Sequence, residues 1–411
     1  MRKMFTLIQK TQVERVLWHA LLLISAPGVF SAVSCRSVED LSLRLLWRIP
    51  LHEEVERTSE STYPIFYRNV AVAAKLSKAG ENEFYGIDAR KGRVIWKRLL
   101  PECGNELYYN LKAYVYDRGV VVPCGNALVN LRPETGEVQA TYRQPSSAES
   151  FLEAGVAPRT FFQAVNDWQG KVSHLYEVDA ETLHPRVLYS ISWPDSARLL
   201  LRTPIALNDS VLLFTSIIMA YGSRTTIARW HFLHRQKGHI LTQGMAYPSN
   251  REGYGVTKQP LLSKDKVYLV AYDQVFCLST TTAKEVWRKT LPRDMLTSAP
   301  VATAEGLFCP MEDGYLYKLR PEDGEVLWKT RIAPTPSRPV VVQEVLFAVG
   351  GSDGVLYAVD IRNGAILRRL KAPNHGLVEN HFFRRFIGVE AGQDVLLLFD
   401  GNSYRGYRIW E

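Results

Sequence analysis

The strongest constraint on the fold is a short pattern that recurs down the chain. Its clearest copy runs from Asp313 to Thr330, and it reads as a β-hairpin. Tyr315, Tyr317 and Leu319 alternate with Leu316 and Lys318, the period of two that a strand requires. Pro321 to Gly324 turns the chain: proline presets φ early in the turn, and glycine supplies the positive φ at its end. Glu325 to Thr330 returns as a second strand carrying Trp328. A lone hairpin is marginal in water, so such a unit needs copies of itself.

The chain supplies them. Clear copies run from Phe84 to Trp96, Gly125 to Val138 and Asp353 to Leu367. Val275 to Trp287 keeps the strand and the tryptophan but has Ala283 where the turn glycine stands elsewhere. Leu175 to Leu183 and Ala228 to Gly238 are worn copies. A last half-copy, Asp394 to Trp410, matches Glu344 to Asp360 and stops before its returning strand. The residues that precede the turns are Asp88, Arg132, Asp179, His234, Ser279, Arg320, Asp360 and Trp410, spaced 40 to 55 residues apart. Periods of roughly 40–50 residues, each of four short strands, mean a propeller. The expected fold is all-β: an eight-bladed β-propeller of four-stranded antiparallel blades.

The missing strand is found at the other end of the chain. Leu43 to Leu51 resembles an orphan returning strand, comparable with Val326 to Pro334. It is expected to be the outermost strand of the eighth blade, closing the ring and hiding the edges that an open array would expose. Within blade six the four strands read as Ser298–Thr303, Gly306–Pro310, Tyr315–Leu319 and Glu325–Thr330. The outer-strand tryptophans Trp47, Trp96, Trp287 and Trp328 are expected to wedge between blades.

The first 34 residues read differently. Met1 to Arg15 is basic, Val16 to Phe30 is apolar, and Ser31 to Ser34 places small residues ahead of Cys35. This is the layout of a secretory signal peptide. Ala32-Val33-Ser34-Cys35 resembles a bacterial lipobox, which implies acylation of Cys35 and a short tether over residues 35–42. The alternatives are cleavage to a free periplasmic protein, or an uncleaved anchor. Arg36, rather than aspartate, follows the cysteine, which favours the outer membrane. The propeller is then residues 43–411.

Charge and cysteine usage agree with an exported globular protein. The formal net charge is +8, of which residues 1–34 contribute +3. The charge is spread along the chain with no dense basic block, so nucleic acid is not an expected partner, while an anionic membrane or acidic protein is compatible. Apart from Cys35 there are four cysteines, which an oxidising compartment would allow to pair. Cys103 falls in the loop entering blade two and Cys124 at that blade's second-to-third turn. A meander puts both on one face, so a Cys103–Cys124 bridge is geometrically reasonable. Cys277 and Cys309 lie on strands and read as buried thiols.

Catalytic and metal signatures are sparse. The sequence has no H-E-x-x-H or C-x-x-C, the spacings that assemble a zinc site or a redox pair, and its one G-x-S-x-G, Gly350 to Gly354, lacks the following helix that a nucleophile elbow requires. His231 and His234 are three apart, which in a strand puts them on opposite faces. Gly350 to Gly354 joins two strands and opens no helix, so it is no phosphate cradle. The turn acids Asp88, Asp179 and Asp360 read as turn formers that bond their own backbone. No cofactor and no metal site is expected. The aromatic–arginine stretch Asn380 to Phe386 reads as an inner strand with its arginines at a rim, or as a contact with a partner or lipid headgroups.

The repeated strand–Asp–turn–Gly–strand–Trp pattern resembles the pyrroloquinoline-quinone type of propeller repeat, over nearly all of residues 43–411. One branch of that superfamily is the quinone-dependent dehydrogenases, usually marked by adjacent cysteines; here no two cysteines are adjacent. With its signal segment, lipobox-like cysteine, length and ring closure, the chain is more similar to the outer-membrane assembly lipoproteins of the BamB family. That resemblance implies a non-enzymatic, lipid-anchored, monomeric scaffold facing the periplasm. It also implies a barrel-insertase partner of the BamA type, bound through the loops after blades three and four. The family uses a Leu-x-Leu-Arg stretch in the first of these loops. Leu199, Leu201 and Arg202 stand at the matching place, and some of these leucines are expected to face outward; the alternative is that Leu199 to Leu201 begins the inner strand of blade four. In the second loop the family uses aspartates, and Tyr254 to Pro260 has none. The alternatives are an exported propeller with another protein or glycan ligand and, less favoured, a quinone-dependent dehydrogenase.

Overall fold

The computed structural model describes residues 41–50, 65–76, 82–103, 113–124, 127–144, 152–220, 226–245, 260–293, 295, 298–372, 389–391, 395–400 and 403–410. Leu41–Glu411 form one compact unit. Its strands make eight antiparallel sheets that follow one another along the chain as the blades of a propeller. Blade one runs from inner strand Ile65–Tyr67 to outer strand Arg93–Leu99, and blade two from Tyr114–Tyr116 to Glu137–Arg143. Blade three runs from Glu153–Ala154 to Pro185–Ser192, and blade four from Ala197–Leu201 to His239–Met245. Blades five, six and seven end on Glu285–Thr290, Val326–Arg331 and Ile366–Leu370.

Blade eight is made from both ends of the chain. Val389–Ala391, Val395–Phe399 and Ser403–Trp410 supply three strands, and Leu41–Pro50 supplies the outer one. Trp47 lies opposite Gly406 and Ile49 opposite Tyr404. The ring therefore closes as the sequence implies, with the strand starting at Leu41, inside the stretch read as tether. In blade six the inner strand is shorter than expected, Val301–Thr303. Pro300 has no N–H to give a ladder, and Ser298 instead donates its hydroxyl to the Ser337 carbonyl, 2.8 Å away.

Burial follows position in the blade. The second strands Gly119–Cys124, Gly306–Pro310, Val345–Val349 and Val395–Phe399 are buried at every residue, because neighbouring blades cover both their faces. Outer strands such as Glu137–Arg143 and Val326–Arg331 alternate instead.

The tryptophans join each blade to the next. Trp47, Trp96, Trp287 and Trp328 each donate Nε1–H to a turn carbonyl of the following blade, at Ala89, Pro133, Pro321 and Ile361, over 2.6–3.2 Å. Beneath each indole lies that blade's turn glycine. A Cβ on Gly92, Gly136, Gly324 or Gly364 would stand 2.0–2.8 Å from the ring, and all four have φ between 62° and 76°. Glycine is required there both for its conformation and for the space it leaves.

The worn copies keep this joint by other means. In blade two Ala140 takes the tryptophan place, opposite Asn130. The next blade's turn residue is then Leu183, wholly buried, with φ 57°. A leucine in the turn fills the room that the missing indole leaves, and the two pack in one cluster. The turn carbonyl, now Ala180, still receives a hydrogen bond, from the Asn130 amide at 2.8 Å. In blade four the close pair is inverted: Trp230 is on the third strand and Gly244 opposite it on the fourth.

Candidate interaction site on blades three and four

Blades three and four carry the longest hairpins. Their second and third strands, Thr160–Asp167 with Val172–Asp179 and Val211–Ala220 with Thr226–His234, span eight to ten residues against five in blade six. In a meander the second-to-third turns and the blade-to-blade connections share a face, so the extra length projects on that face.

Trp168 sits at the tip of the blade three hairpin and is 36% exposed. The turn is set by Asp167, whose Oδ1 accepts the backbone N–H groups of Gln169 and Gly170 at 3.1 and 3.0 Å. Lys171 completes it with φ 52°. The edge of Trp168 meets the buried Trp193 with ring centroids 6.0 Å apart, and the Arg198 guanidinium lies 5.6 Å from the Trp168 ring. Trp193 is held in turn: its N–H bonds the Lys171 carbonyl at 3.1 Å, and Lys171 pairs with Asp195.

The chain then enters blade four as the strand Ala197–Leu201, paired with Ala220 back to Ser216. Its side chains alternate. Leu199 and Leu201 are buried against Phe162, Leu212 and Phe214. Arg198 is exposed, while Leu200 and Arg202 are half-buried. This corrects the expectation for Leu199 and Leu201. They lie in an inner strand whose period of two turns both side chains into the joint between blades, so neither presents an outward surface.

Buried polar groups fix that strand. Asn166 Oδ1 accepts the Leu201 N–H at 2.8 Å and the Ser173 hydroxyl at 2.7 Å, and its Nδ2 donates to the Leu201 carbonyl at 3.2 Å. Pairing resumes at Ile205, opposite Leu213, after Leu201 opposite Ser216. Four steps on one strand against three on the other make a bulge at Arg202–Pro204, where proline lacks the N–H for a ladder.

Ion pairs stitch the opposite face. Arg235 reaches Glu177 at 2.6 and 2.9 Å, and Arg186 also contacts it. Burial pushes the Glu177 carboxyl up, but hydrogen bonds from Arg186 and Arg235 outweigh it and hold the group below the usual range. Arg159 likewise joins blade three to blade two through Asp117.

The other expected residues fall as follows. Cys103 and Cys124 are joined by a disulfide with Cα atoms 4.8 Å apart. Cys277 and Cys309 are buried thiols, and burial pushes both up in pKa, Cys277 to about 11. His231 is buried and His234 half-exposed. Cys35, residues 254–259 and residues 380–386 lie outside the described residues. Trp168 was not foreseen; its one signal is an aromatic inside an Asp-Trp-Gln-Gly turn.

Quinone chemistry would need an ion site. Among the described residues no three His, Cys, Asp or Glu are grouped to hold a metal, and the disulfide joins residues 21 apart rather than neighbours. The described donors do not fit that group. What blades three and four present instead is an exposed indole with a stacked guanidinium and a partly exposed leucine. Aromatic and arginine side chains of this kind anchor protein contacts.

Fold and site define a closed eight-bladed propeller of the quinone-repeat type with an aromatic–arginine patch on its loop-bearing face. The family model described as outer membrane protein assembly factor BamB matches residues 41–165 and 216–386, so the chain belongs to that family. The match breaks across residues 166–215, the segment that carries Trp168 and Arg198. No curated protein matches the chain in sequence.

Among solved structures, BamB of Moraxella catarrhalis aligns with TM-score 0.61 and 14% identity, over 89% of this chain and 100% of that one. Sqt1 of Saccharomyces cerevisiae aligns with TM-score 0.60 and 9% identity, over 90% and 100%. A europium-containing methanol dehydrogenase aligns with TM-score 0.58 and 11% identity, over 80% of each chain. At these identities the likeness is one of fold, and one fold hosts many functions.

Proposed function

We propose that this chain is a non-enzymatic, lipid-anchored scaffold in outer-membrane β-barrel assembly, acylated at Cys35 and facing the periplasm as a single propeller within a complex. The family match over most of the blades carries the reading. The partner it favours is a barrel insertase of the BamA type, and the contact is the patch of Trp168, Arg198 and Leu200, with Arg202 at its inner edge. Mass spectrometry of the mature protein should find an acylated Cys35 at the N-terminus. Dye reduction after adding quinone and Ca²⁺ should stay at background.

Substituting Trp168→Ala with Arg198→Glu should change the melting temperature little, since both side chains are exposed. It should weaken capture of the insertase from solubilised membranes by about 1–3 kcal/mol, as loss of a hot spot does. Leu201→Ser, by contrast, should unsettle the fold, since Leu201 is core. Full capture by the first variant would place the contact elsewhere.

A further inference from the structure

The outer strands of the ring are not charged alike. Those of blades two and four, Glu137–Arg143 and His239–Met245, carry one arginine and one glutamate between them. Those of blades six, seven, eight and one carry only basic residues: Lys329 and Arg331, then Arg368 and Arg369, then Arg44 and Arg48, then Arg93, Lys97 and Arg98. All nine are exposed, and these four blades are consecutive because the ring closes between eight and one.

Blade eight holds the most telling pair. Arg44 lies directly opposite Arg408, also exposed, on the neighbouring strand. Like charges so placed oppose folding. The acids nearby are already engaged: Asp360 and Glu344 with Arg362, Asp400 with Arg405. Arg44, Arg408, Arg368 and Arg369 have no acidic partner among the described residues. Register shifts on both sides of Arg44 and Leu45 turn these two adjacent residues outward together, as bulges do. An arginine pair beside an exposed leucine is suited to an anionic interface with an apolar layer beneath it.

We propose that the rim of blades seven and eight rests on an anionic phospholipid surface, with Arg44, Arg408, Arg368 and Arg369 against the headgroup phosphates and Leu45 dipping among them. The proposal rests in part on the reading of Cys35 as the anchor. Five residues separate Cys35 from Leu41, and six Cα steps at full extension span about 20 Å. An acyl chain there would keep the bilayer within about that distance of Leu41, where the rim strand of blade eight begins. Basic residues near such a surface add attraction that salt screens, so the rim sets the orientation of a propeller already tethered.

The test uses the chain from residue 36, without the anchor, since the compact unit begins at Leu41. It should float with vesicles rich in phosphatidylglycerol, not with pure phosphatidylcholine, and high salt should release it. Replacing Arg44, Arg408, Arg368 and Arg369 by glutamine should weaken partition about fivefold per charge, while the melting temperature holds or rises because a like-charge pair is gone. Unchanged flotation of that variant, equal binding to neutral vesicles, or no binding by the unaltered protein would overturn the proposal. Mass spectrometry of Cys35 separates the two readings: an acylated protein whose rim ignores lipid sinks the rim alone, and an unacylated one whose rim binds sinks the anchor alone.

Discussion

His231 shows how one residue can tie this ring to pH. It is 8% exposed, stacks on Phe214 with centroids 4.6 Å apart, and meets the Ser216 hydroxyl through Nε2 at 2.8 Å. Burial, with the charge of Arg229 added, pulls its pKa down from 6.5 to about 4. Above pH 6.5 the ring is neutral in both folded and unfolded chains and contributes nothing to the pH dependence. As pH falls below 6.5 the unfolded chain takes up a proton that the folded one refuses until about pH 4. Stability is therefore lost across that window, by about 2–3 kcal/mol near its lower end. His231→Gln should remove this part of the slope. Urea unfolding at neutral pH and at about pH 4.5 would show it; an equal loss in both proteins would mean that other groups govern the acid limit.

Among the elements, the joint between outer strand and following turn is the repeating unit of cohesion, and its exceptions test the account of it. Four joints set an indole over a glycine; the joint of blades two and three sets Ala140 beside Leu183. Leu183→Gly should relieve a leucine held at φ 57°, yet open a cavity, for a net cost of about 2–4 kcal/mol. Ala140→Trp alone should clash with Leu183. Made together, the two should recover part of the loss, with a favourable coupling of about 1–3 kcal/mol in a double-mutant cycle. Independent effects would refute the steric exchange. The same joints show what could be read from sequence. Period two and the Pro-to-Gly turn placed the second, third and fourth strands of blade six within a residue, because those signals are local, while the inner strand begins three residues later than read. The face to which Leu199 and Leu201 turn is not local. It depends on the register against Ser216–Ala220 and on the Asn166 clamp from another blade. Leu183 in a glycine's place likewise makes sense only beside Ala140, which belongs to the preceding blade.

For the whole molecule, closure by Leu41–Pro50 is the step on which the other joints depend. That strand buries Leu41, Trp47 and Ile49 and links blade eight to blade one through the Trp47 bond to Ala89. It also covers the edge of Ser403–Trp410, which would otherwise offer a row of unpaired backbone groups to any other strand. Losing one buried tryptophan costs about 3–5 kcal/mol, and this deletion removes two further apolar side chains and a ladder besides. A chain beginning after Pro50 should thus melt lower by about 10 °C or more and self-associate on size exclusion. A peptide of residues 41–50 added in trans should restore part of the melting temperature, since the groove it fills is defined by the rest of the ring. If the truncated chain melts unchanged as a monomer, blades one to seven hold the ring without the closing strand. If it melts lower and the peptide does not help, the strand matters for assembling the ring rather than for holding it shut.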